Sequence, residues 1–374
     1  MNEKVSQSDP RSERRFIFTI VLALTLFGIL MIYESSSIYA FKITADHAYF
    51  LKRQFIFFLL GLGLFFLFLL PDIESLAKYN KEFLILTAFF LIVVLFTGRS
   101  AGGAKRWFYF GNFNFQPSEM LKVSFLLYCA EYFRRKGNLI RNFKLGLLPL
   151  GFVLGLICFL LILEPDLGGV IFWIIWVFLS LFFIRAKKRH LFLIISLGLA
   201  ASFFLIIFEP YRFRRISAYL NPFADSQGAG FQLVQSQIAY GTGGIWGVGL
   251  GEGKQKLFFL PAAHTDFIFS IIAEELGLFG SLGVLFAFFL LFKKMVNIAK
   301  GANDELRRNI LWGIIFVFFL EVIINIGVSC GLFPTKGLPL PFVSYGGSSL
   351  VIHYILLGLF FNASREDQRV MCNV

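Results

Sequence analysis

The strongest constraint on this chain is a succession of long apolar runs separated by short polar stretches. The runs read as Phe16–Tyr33, Phe55–Leu70, Phe83–Thr97, Pro117–Phe133, Leu145–Leu163, Gly168–Ile184, Leu191–Phe208, Phe267–Phe292, Ile310–Cys330 and Phe342–Phe361. A helix needs about 20 apolar residues to cross the hydrocarbon core of a bilayer. These runs are apolar on every side, whereas a helix on a water-soluble core keeps a polar face. The pattern predicts an all-α polytopic membrane protein with about ten transmembrane helices. One membrane domain covers residues 16–362, between an N-terminal tail, 1–15, and a C-terminal tail, 363–374. The fourth run is interrupted by Glu119 and Lys122, three positions apart and on one helical face, so they are expected to form a structural ion pair. The first run is long enough to span and lacks a small-residue cleavage pattern, so it does not read as a removable signal.

Charge placement sets the orientation. The net charge is +12, yet only 16% of residues are charged and 57% are hydrophobic. In such a chain a basic excess reflects cytoplasmic loops and anionic head groups rather than nucleic acid. With the N-terminus inside, 22 basic residues fall on the cytoplasmic side and 12 outside, with Lys122 left within a run. The dense basic turn Arg185–Arg189 and its acidic neighbour Glu164-Pro-Asp166 agree with that assignment. Both termini are then cytoplasmic. Cys129, Cys158, Cys330 and Cys372 form no Cys-x-x-Cys pair, so neither a disulfide framework nor a zinc site is indicated.

Two outer segments are more than connectors. Gly98–Gln116 mixes glycines and aromatics with Arg99, Lys105, Arg106 and Trp107. Residues 209–265 make a large outer loop between helices 7 and 8, far longer than an ordinary connection. Its aromatic residues need burial, so short helices at the membrane surface are expected, with a glycine-rich turn at 241–251. That turn lacks the Gly-x-x-x-x-Gly-Lys-Ser/Thr phosphate loop, as does the rest of the chain, which counts against a nucleotide cofactor. Pro334, Pro339 and Pro341 break any continuous helix between 331 and 349. Non-helical backbone near membrane depth is tolerated where it is buried in protein or lines a cavity. Ser344, Tyr345, Ser348 and Ser349 are placed there to hydrogen-bond a sugar or to cap the last helix.

The polar residues converge on the outer side. Lys105, Arg106, Arg212, Arg214, Arg215, Lys254, Lys256 and Lys336 stand with Glu164, Asp166, Asp225, Glu252 and Asp266. Against the usual charge bias, outer lysines and arginines suit a lipid-linked pyrophosphate, whose oxygens they bind by charge-assisted hydrogen bonds. Head-group contact is the ordinary alternative for any one of them. His264, Thr265 and Asp266 sit at the border between the long loop and an apolar run. There Thr265 or Asp266 either caps the following helix or serves chemistry.

These stretches together resemble the SEDS family (shape, elongation, division and sporulation), the group of FtsW and RodA. The resemblance rests on Ala104-Lys-Arg-Trp107 with Gln116-Pro-Ser-Glu119 and Lys122, on Glu164-Pro-Asp-Leu-Gly168, and on Gly230-Phe-Gln-Leu-Val-Gln-Ser236 through Gly251. It rests also on Leu260-Pro-Ala-Ala-His-Thr-Asp-Phe-Ile-Phe269 with Glu274-Glu-Leu-Gly277, and on the string Pro334–Ser349. Pro334-Thr-Lys-Gly337 and Tyr211-Arg-Phe-Arg-Arg215 resemble FtsW, the division branch; Leu338-Pro-Leu-Pro-Phe342 is closer to RodA, the elongation branch. The family often has Gln at the position of Glu164 and Glu at that of Ala262.

The resemblance implies a peptidoglycan glycosyltransferase in the bacterial cytoplasmic membrane at the division septum. It would polymerise lipid II at the outer face, with a class B penicillin-binding protein and other divisome proteins as partners. Its product would be an undecaprenyl-pyrophosphate-linked glycan. An attacking sugar hydroxyl must lose a proton and a pyrophosphate leaving group needs cations. Asp266 is then the expected catalytic base, with His264 as rival. Lys105, Arg106, Arg212, Lys336, Ser344 and Ser348 are the expected substrate contacts. Assistance by a divalent cation stays open. A lipid II flippase is the competing reading, and a scaffold for division proteins a third. A flippase needs polar groups through the membrane depth, and here most of them lie on one side.

The orientation has a direct check. A cysteine at Gln227 is expected to react with an impermeant thiol reagent from outside, and one at Asn303 only after the inner side is opened. Reaction of both from one side would refute it.

Overall fold

The computed structural model describes residues 10–101, 104–111, 113–207, 210–228 and 230–365. Most of both expected tails therefore lies outside the described residues. The chain is predominantly helical: α1 Pro10–Thr44, α2 Tyr49–Leu69, α3 Ile73–Lys78, α4 Asn80–Thr97, α5 Pro117–Lys136, α6 Leu148–Leu163 and α7 Leu167–Phe183. There follow α8 Lys188–Ile207, α9 Pro210–Leu220, α10 Phe231–Gly243, α11 Ile268–Lys300, α12 Glu305–Ser329 and α13 Gly347–Ala363. Six helical stretches are long and apolar enough to cross a membrane: α1, α2, α4, residues 143–163 ending in α6, α11 and α12; α7 and α13 are shorter apolar helices. The ten runs read from the sequence fall on α1, α2, α4 to α8 and α11 to α13.

Boundaries moved where polar side chains could be satisfied by the helix itself. The run ending at Tyr33 belongs to a helix that continues to Thr44. Ser35 and Ser36 extend it by donating to the carbonyls of Met31 and Ile32 at 2.7 and 2.6 Å. A buried hydroxyl satisfied this way costs little in an apolar setting.

The helices are tied by a few polar contacts within a large apolar core. Tyr354 of α13 packs 5.7 Å from Phe58 of α2 and shares a 2.9 Å hydrogen bond with Thr25 of α1. Asn362 donates to the carbonyls of Phe68 and Pro71 where α2 ends. Trp176 of α7 donates to Gly313 of α12 at 3.0 Å. Each uses an amide, phenol or indole against an otherwise apolar interface.

The expected outer segments are built differently from one another. Gly98–Gln116 folds as a small antiparallel sheet, β1 Arg99–Ala101, β2 Ala104–Phe110 and β3 Phe113–Phe115, in that order. Residues 210–265 contain short helices, α9 and α10, and then a glycine-rich turn.

The largest departure is in α11. A single span was expected over Phe267–Phe292, but the helix is broken at Gly277, where φ is 65° and ψ −159°. The carbonyls of Glu274 and Glu275, freed from the helix ladder, accept from Val248 and Gly249 at 3.0 Å each. The side chains of the same two residues take Lys254 N at 2.8 Å and Lys256 Nζ at 2.7 Å. The preceding loop is thus folded onto the break by four separate contacts. That backbone conformation is essentially restricted to glycine, and a Cβ at Gly277 would run into Ile245 O and Gly247 N. Gly277→Ala is therefore expected to lower the thermal midpoint and folded yield in detergent sharply, while Gly283→Ala, where a Cβ meets open space, leaves both near wild type.

Candidate active site

Asp266 is presented by a tight turn between the glycine-rich loop and α11. The carbonyl of Ala262 accepts from Thr265 N, Phe267 N and the Thr265 hydroxyl at 3.1, 3.3 and 3.1 Å. Ala262 itself has φ 58°, a conformation that costs a non-glycine residue about 1–3 kcal/mol and that clusters at working sites. No side chain caps the first turn of α11. Neither Thr265 nor Asp266 plays that ordinary role, and the Asp266 carboxylate is left for other work.

A second non-helical string, Gly331–Gly346, lies against the turn. Asn325, buried in α12, stitches the two together: its amide donates to Asp266 O at 2.9 Å and to Leu338 O at 2.7 Å. Gln54 of α2 holds the end of the same string, donating to Ser344 O and accepting from Gly346 N at 3.2 and 3.3 Å. Gly337 is brought so close to Asp266 that a Cβ there would fall 2.8 Å from Oδ2. Only glycine leaves that carboxylate its room.

Between these strings and α5, α7 and α13 is a cavity of about 310 Å³. Its wall includes Asp266, Arg106 and Trp107, together with the first turns of α5 (Gln116, Ser118, Glu119), α7 (Asp166, Gly169) and α13 (Gly346, Ser349). Three helices thus turn their N-termini towards one space. Free amides and the helix dipole make such ends favourable to anions. A wider cleft of about 530 Å³ lies at the other end of α5, but Glu131 there is paired with Arg134 and Arg135 at 2.8 and 3.4 Å. That cleft is a solvated face of paired charges and offers no comparable chemistry.

The sequence-expected residues separate on this map. Arg106 lines the cavity and grips the α6–α7 turn, donating to Glu164 O at 2.8 Å and Pro165 O at 2.5 Å. Lys336 lays its stem across Gly168 and its ammonium 5.7 Å from the Phe172 ring centroid. Its Nζ has no hydrogen-bond partner. Lys105 is exposed on β2. Arg212 falls on α9, and its side chain lies outside what the structure describes. Ser344 accepts from Leu340 N at 2.8 Å, and Ser348 donates to Asn114 O at 2.9 Å and accepts from Gln116 N at 3.2 Å. Both hydroxyls hold backbone in place. Nor does any side chain cap α13.

Burial tunes the ionisable groups outside the helices. It pushes the Asp266 carboxyl up to about 6, against the opposing pull of Arg215. It lowers Lys336 to about 8. Glu164 is fully buried with both carboxyl oxygens unpartnered; burial, then the charge of Asp166, raise it to about 8. It holds its proton at neutral pH and cannot serve as a base there. The rival His264 is lowered to about 4 by burial and is packed among Phe50, Tyr345 and Tyr39 at 4.6, 5.6 and 6.0 Å, away from the cavity wall. Among the described residues no three His, Cys, Asp or Glu side chains are gathered closely enough to hold a metal ion.

The pair Glu119–Lys122 is part of something larger. Lys122 Nζ lies 2.6 Å from Glu119 and is also in contact with Glu321 of α12. Glu321 in turn meets His353 of α13 at 2.9 Å. Glu321 and Asn325 escaped the sequence analysis although the signal was present, because a carboxylate and an amide within an apolar run are conspicuous. The triad changes what a mutation does. Removing Glu119 leaves Lys122 with Glu321, whereas Lys122→Met leaves two buried carboxylates without their cation, at a cost of about 3–5 kcal/mol. Folded yield is expected to fall much further for Lys122→Met than for Glu119→Gln, and equal yields would show that the lysine is not their shared counter-charge.

Fold and site together define a class: a polytopic helical membrane protein with an acid, a buried lysine and converging helix N-termini around one cavity. Residues 14–369 match the family FTSW_RODA_SPOVE, described as "Cell cycle protein", and the chain belongs to that family. It is 42% identical over 352 residues to "Probable peptidoglycan glycosyltransferase FtsW" of Trichlorobacter lovleyi, covering 93% of this chain and 92% of that one. It is 37% identical to "Stage V sporulation protein E" of Bacillus subtilis, covering 93% and 96%. Its fold is similar to that of the rod shape determining protein RodA of Thermus thermophilus, with a TM-score of 0.70 at 28% identity over 93% of this chain and 95% of that one. A chain from the structure described as "Structural coordination of polymerization and crosslinking by a peptidoglycan synthase complex" gives a TM-score of 0.77 at 29% identity, covering 92% and 96%.

Proposed function

We propose that this protein is the peptidoglycan glycosyltransferase of septal wall synthesis, polymerising lipid II at the outer face of the cytoplasmic membrane. It crosses the membrane ten times with both termini inside, and a class B penicillin-binding protein cross-links its product. Family membership and the names of the relatives support the activity, and the basic asymmetry supports the orientation. The observation that carries the mechanism is the Asp266 carboxylate, free of any capping role and facing the cavity between Gly337 and the anion-favouring helix ends.

The chemistry follows from that placement. A sugar hydroxyl attacks the anomeric carbon of a lipid-linked chain. Its proton goes to Asp266, a new glycosidic bond forms, and the bond to undecaprenyl pyrophosphate breaks. Negative charge grows on the leaving phosphate, where Arg106, Lys336 and the amides opening α5, α7 and α13 stabilise it. Lys105, exposed on β2, and Arg212 of α9 are further substrate contacts on this reading. A pyrophosphate leaves as an anion and needs no protonation, so one carboxylate suffices where glycoside hydrolysis uses two.

A base with its pKa near 6 is better matched to neutral pH than a free aspartate near 4. The working form of Asp266 is deprotonated, so the rate is expected to rise with pH through about 6 and level above it. Asp266→Asn keeps the shape but takes no proton. With purified protein, its partner and lipid II it should fold normally and polymerise about 10²- to 10⁴-fold more slowly. Near-normal polymer from Asp266→Asn would remove Asp266 from the mechanism.

A further inference from the structure

His264 stands two positions before Asp266, yet the reaction gives it nothing to do. It is absent from the cavity wall, whereas its neighbours Thr265 and Asp266 are part of it. On the facing string the wall is formed by Tyr345 and Gly346. A direct backbone hydrogen bond ties the two together, with Tyr345 N donating to the carbonyl of His264 at 2.9 Å. His264 is thus where the turn carrying Asp266 is joined to the string ending at Gly346, one step behind the wall.

The imidazole is packed into a box of aromatic rings from three other parts of the chain. Between centroids, Phe50 of α2 lies at 4.6 Å, Tyr345 at 5.6 Å and Tyr39 of α1 at 6.0 Å. These rings also hold one another: Phe50 meets Tyr345 edge-on at 5.1 Å and stacks with Tyr39 at 6.0 Å. Around them, Tyr49 closes edge-on against Phe50 at 5.1 Å, and Phe258 against Tyr39 at 6.2 Å. Two cations flank the box. Arg53 donates to the Tyr49 hydroxyl at 2.6 Å, and Lys42 lies 4.6 Å over the Phe258 ring. Among the described residues no carboxylate pairs with His264. Edge-on and offset contacts of this kind hold a flat ring in one orientation.

Resting on the glycosyltransferase reading, we propose that His264 is a positioning residue of that site: its flat ring is the joint that fixes the Asp266 turn and the Tyr345 string against α1 and α2, and it takes no part in proton transfer. A void behind the wall would let the two strings shift against each other and would admit water to the Asp266 carboxyl.

Two substitutions separate the ring from its nitrogens. His264→Phe keeps a flat ring and discards both nitrogens, whereas His264→Gln keeps a polar side chain and discards the ring. The readout is lipid II polymerisation per folded molecule, followed across pH with the purified protein and its transpeptidase partner. His264→Phe is expected to polymerise at close to the wild-type rate, with the acid limb of its profile still near 6. A misplacement of about 1 Å costs on the order of 100-fold, so His264→Gln is expected to lose about that much. Its acid limb should also move down by roughly 1 pH unit, because burial is what raises Asp266 and entering water relieves it. A residue that only stabilised the fold would lower the yield without moving that limb. His264→Phe as slow as Asp266→Asn would overturn the proposal, and so would a wild-type rate and limb in His264→Gln. If the ring-less variant fails to fold, the rate of His264→Phe still decides between joint and base.

A second measurement needs no turnover. The rate at which a water-soluble carbodiimide modifies Asp266 is read against pH by mass spectrometry. Its midpoint is expected to be unchanged in His264→Phe and lowered in His264→Gln. The same midpoint in both variants refutes the proposal, whether or not the protein polymerises. Wild-type protein that forms no polymer, with the midpoints separated as expected, would count against the glycosyltransferase reading alone.

Discussion

Everything around the cavity of this protein depends on how non-helical backbone is kept hydrogen-bonded between apolar helices. A peptide group left unpaired in an apolar setting costs several kcal/mol, and the chain leaves its helices there twice, at 244–267 and at 331–346. Asn325 meets this demand for both at once, one amide serving the carbonyls of Asp266 and Leu338. Gln54 does the same for Ser344 and Gly346, and the two glutamates before Gly277 take up the amides of the preceding loop. The geometry of the candidate site is a by-product of that satisfaction. Asp266 stands where it does because the peptide that carries it is bonded to a helix interior.

The same economy governs charge. The cavity side of the protein buries acids and bases in quantity, but it does so through shared partners: Lys122 between two glutamates, Lys256 with Glu275 at 2.7 Å and Glu34 at 3.6 Å. What distinguishes Asp266 and Lys336 is that neither is neutralised in that manner. They keep unsatisfied electrostatic potential, and burial shifts them in opposite directions, the acid up and the amine down. Groups whose environments move them towards neutral pH are the ones expected at a reacting centre.

The helical framework was legible in the sequence because apolar runs of spanning length have few alternatives. Asp266, Arg106, Lys336 and the pair at 119 and 122 stood out as charges in costly places, and the structure gathers all of them but Lys336 in the wall of one cavity. Three things were not legible. The break at Gly277 is invisible to hydropathy, since a glycine inside an apolar run reads as part of a helix; only its φ of 65° and the loop packed on it reveal a break. The sheet at 99–115 depends on pairing between strands as short as three residues, too short for any periodicity. And the Ser348 hydroxyl donates to Asn114 O, 234 positions away, so its hold on the backbone could not be read locally.

Glu164 shows how the pieces constrain one another. It sits two residues from Asp166 and is buried without a partner for either oxygen, so at neutral pH it stays protonated and uncharged. An ionised Glu164 would set a bare charge, with no partner for either oxygen, beside the α7 cap. A glutamine at this position would be an uncharged isostere of the protonated glutamic acid, and it would preserve the same arrangement at any pH. On this argument the position is defined by the absence of charge, and the turn from 164 to 168 sets an aspartate cap on α7 and a bare glycine backbone under the stem of Lys336.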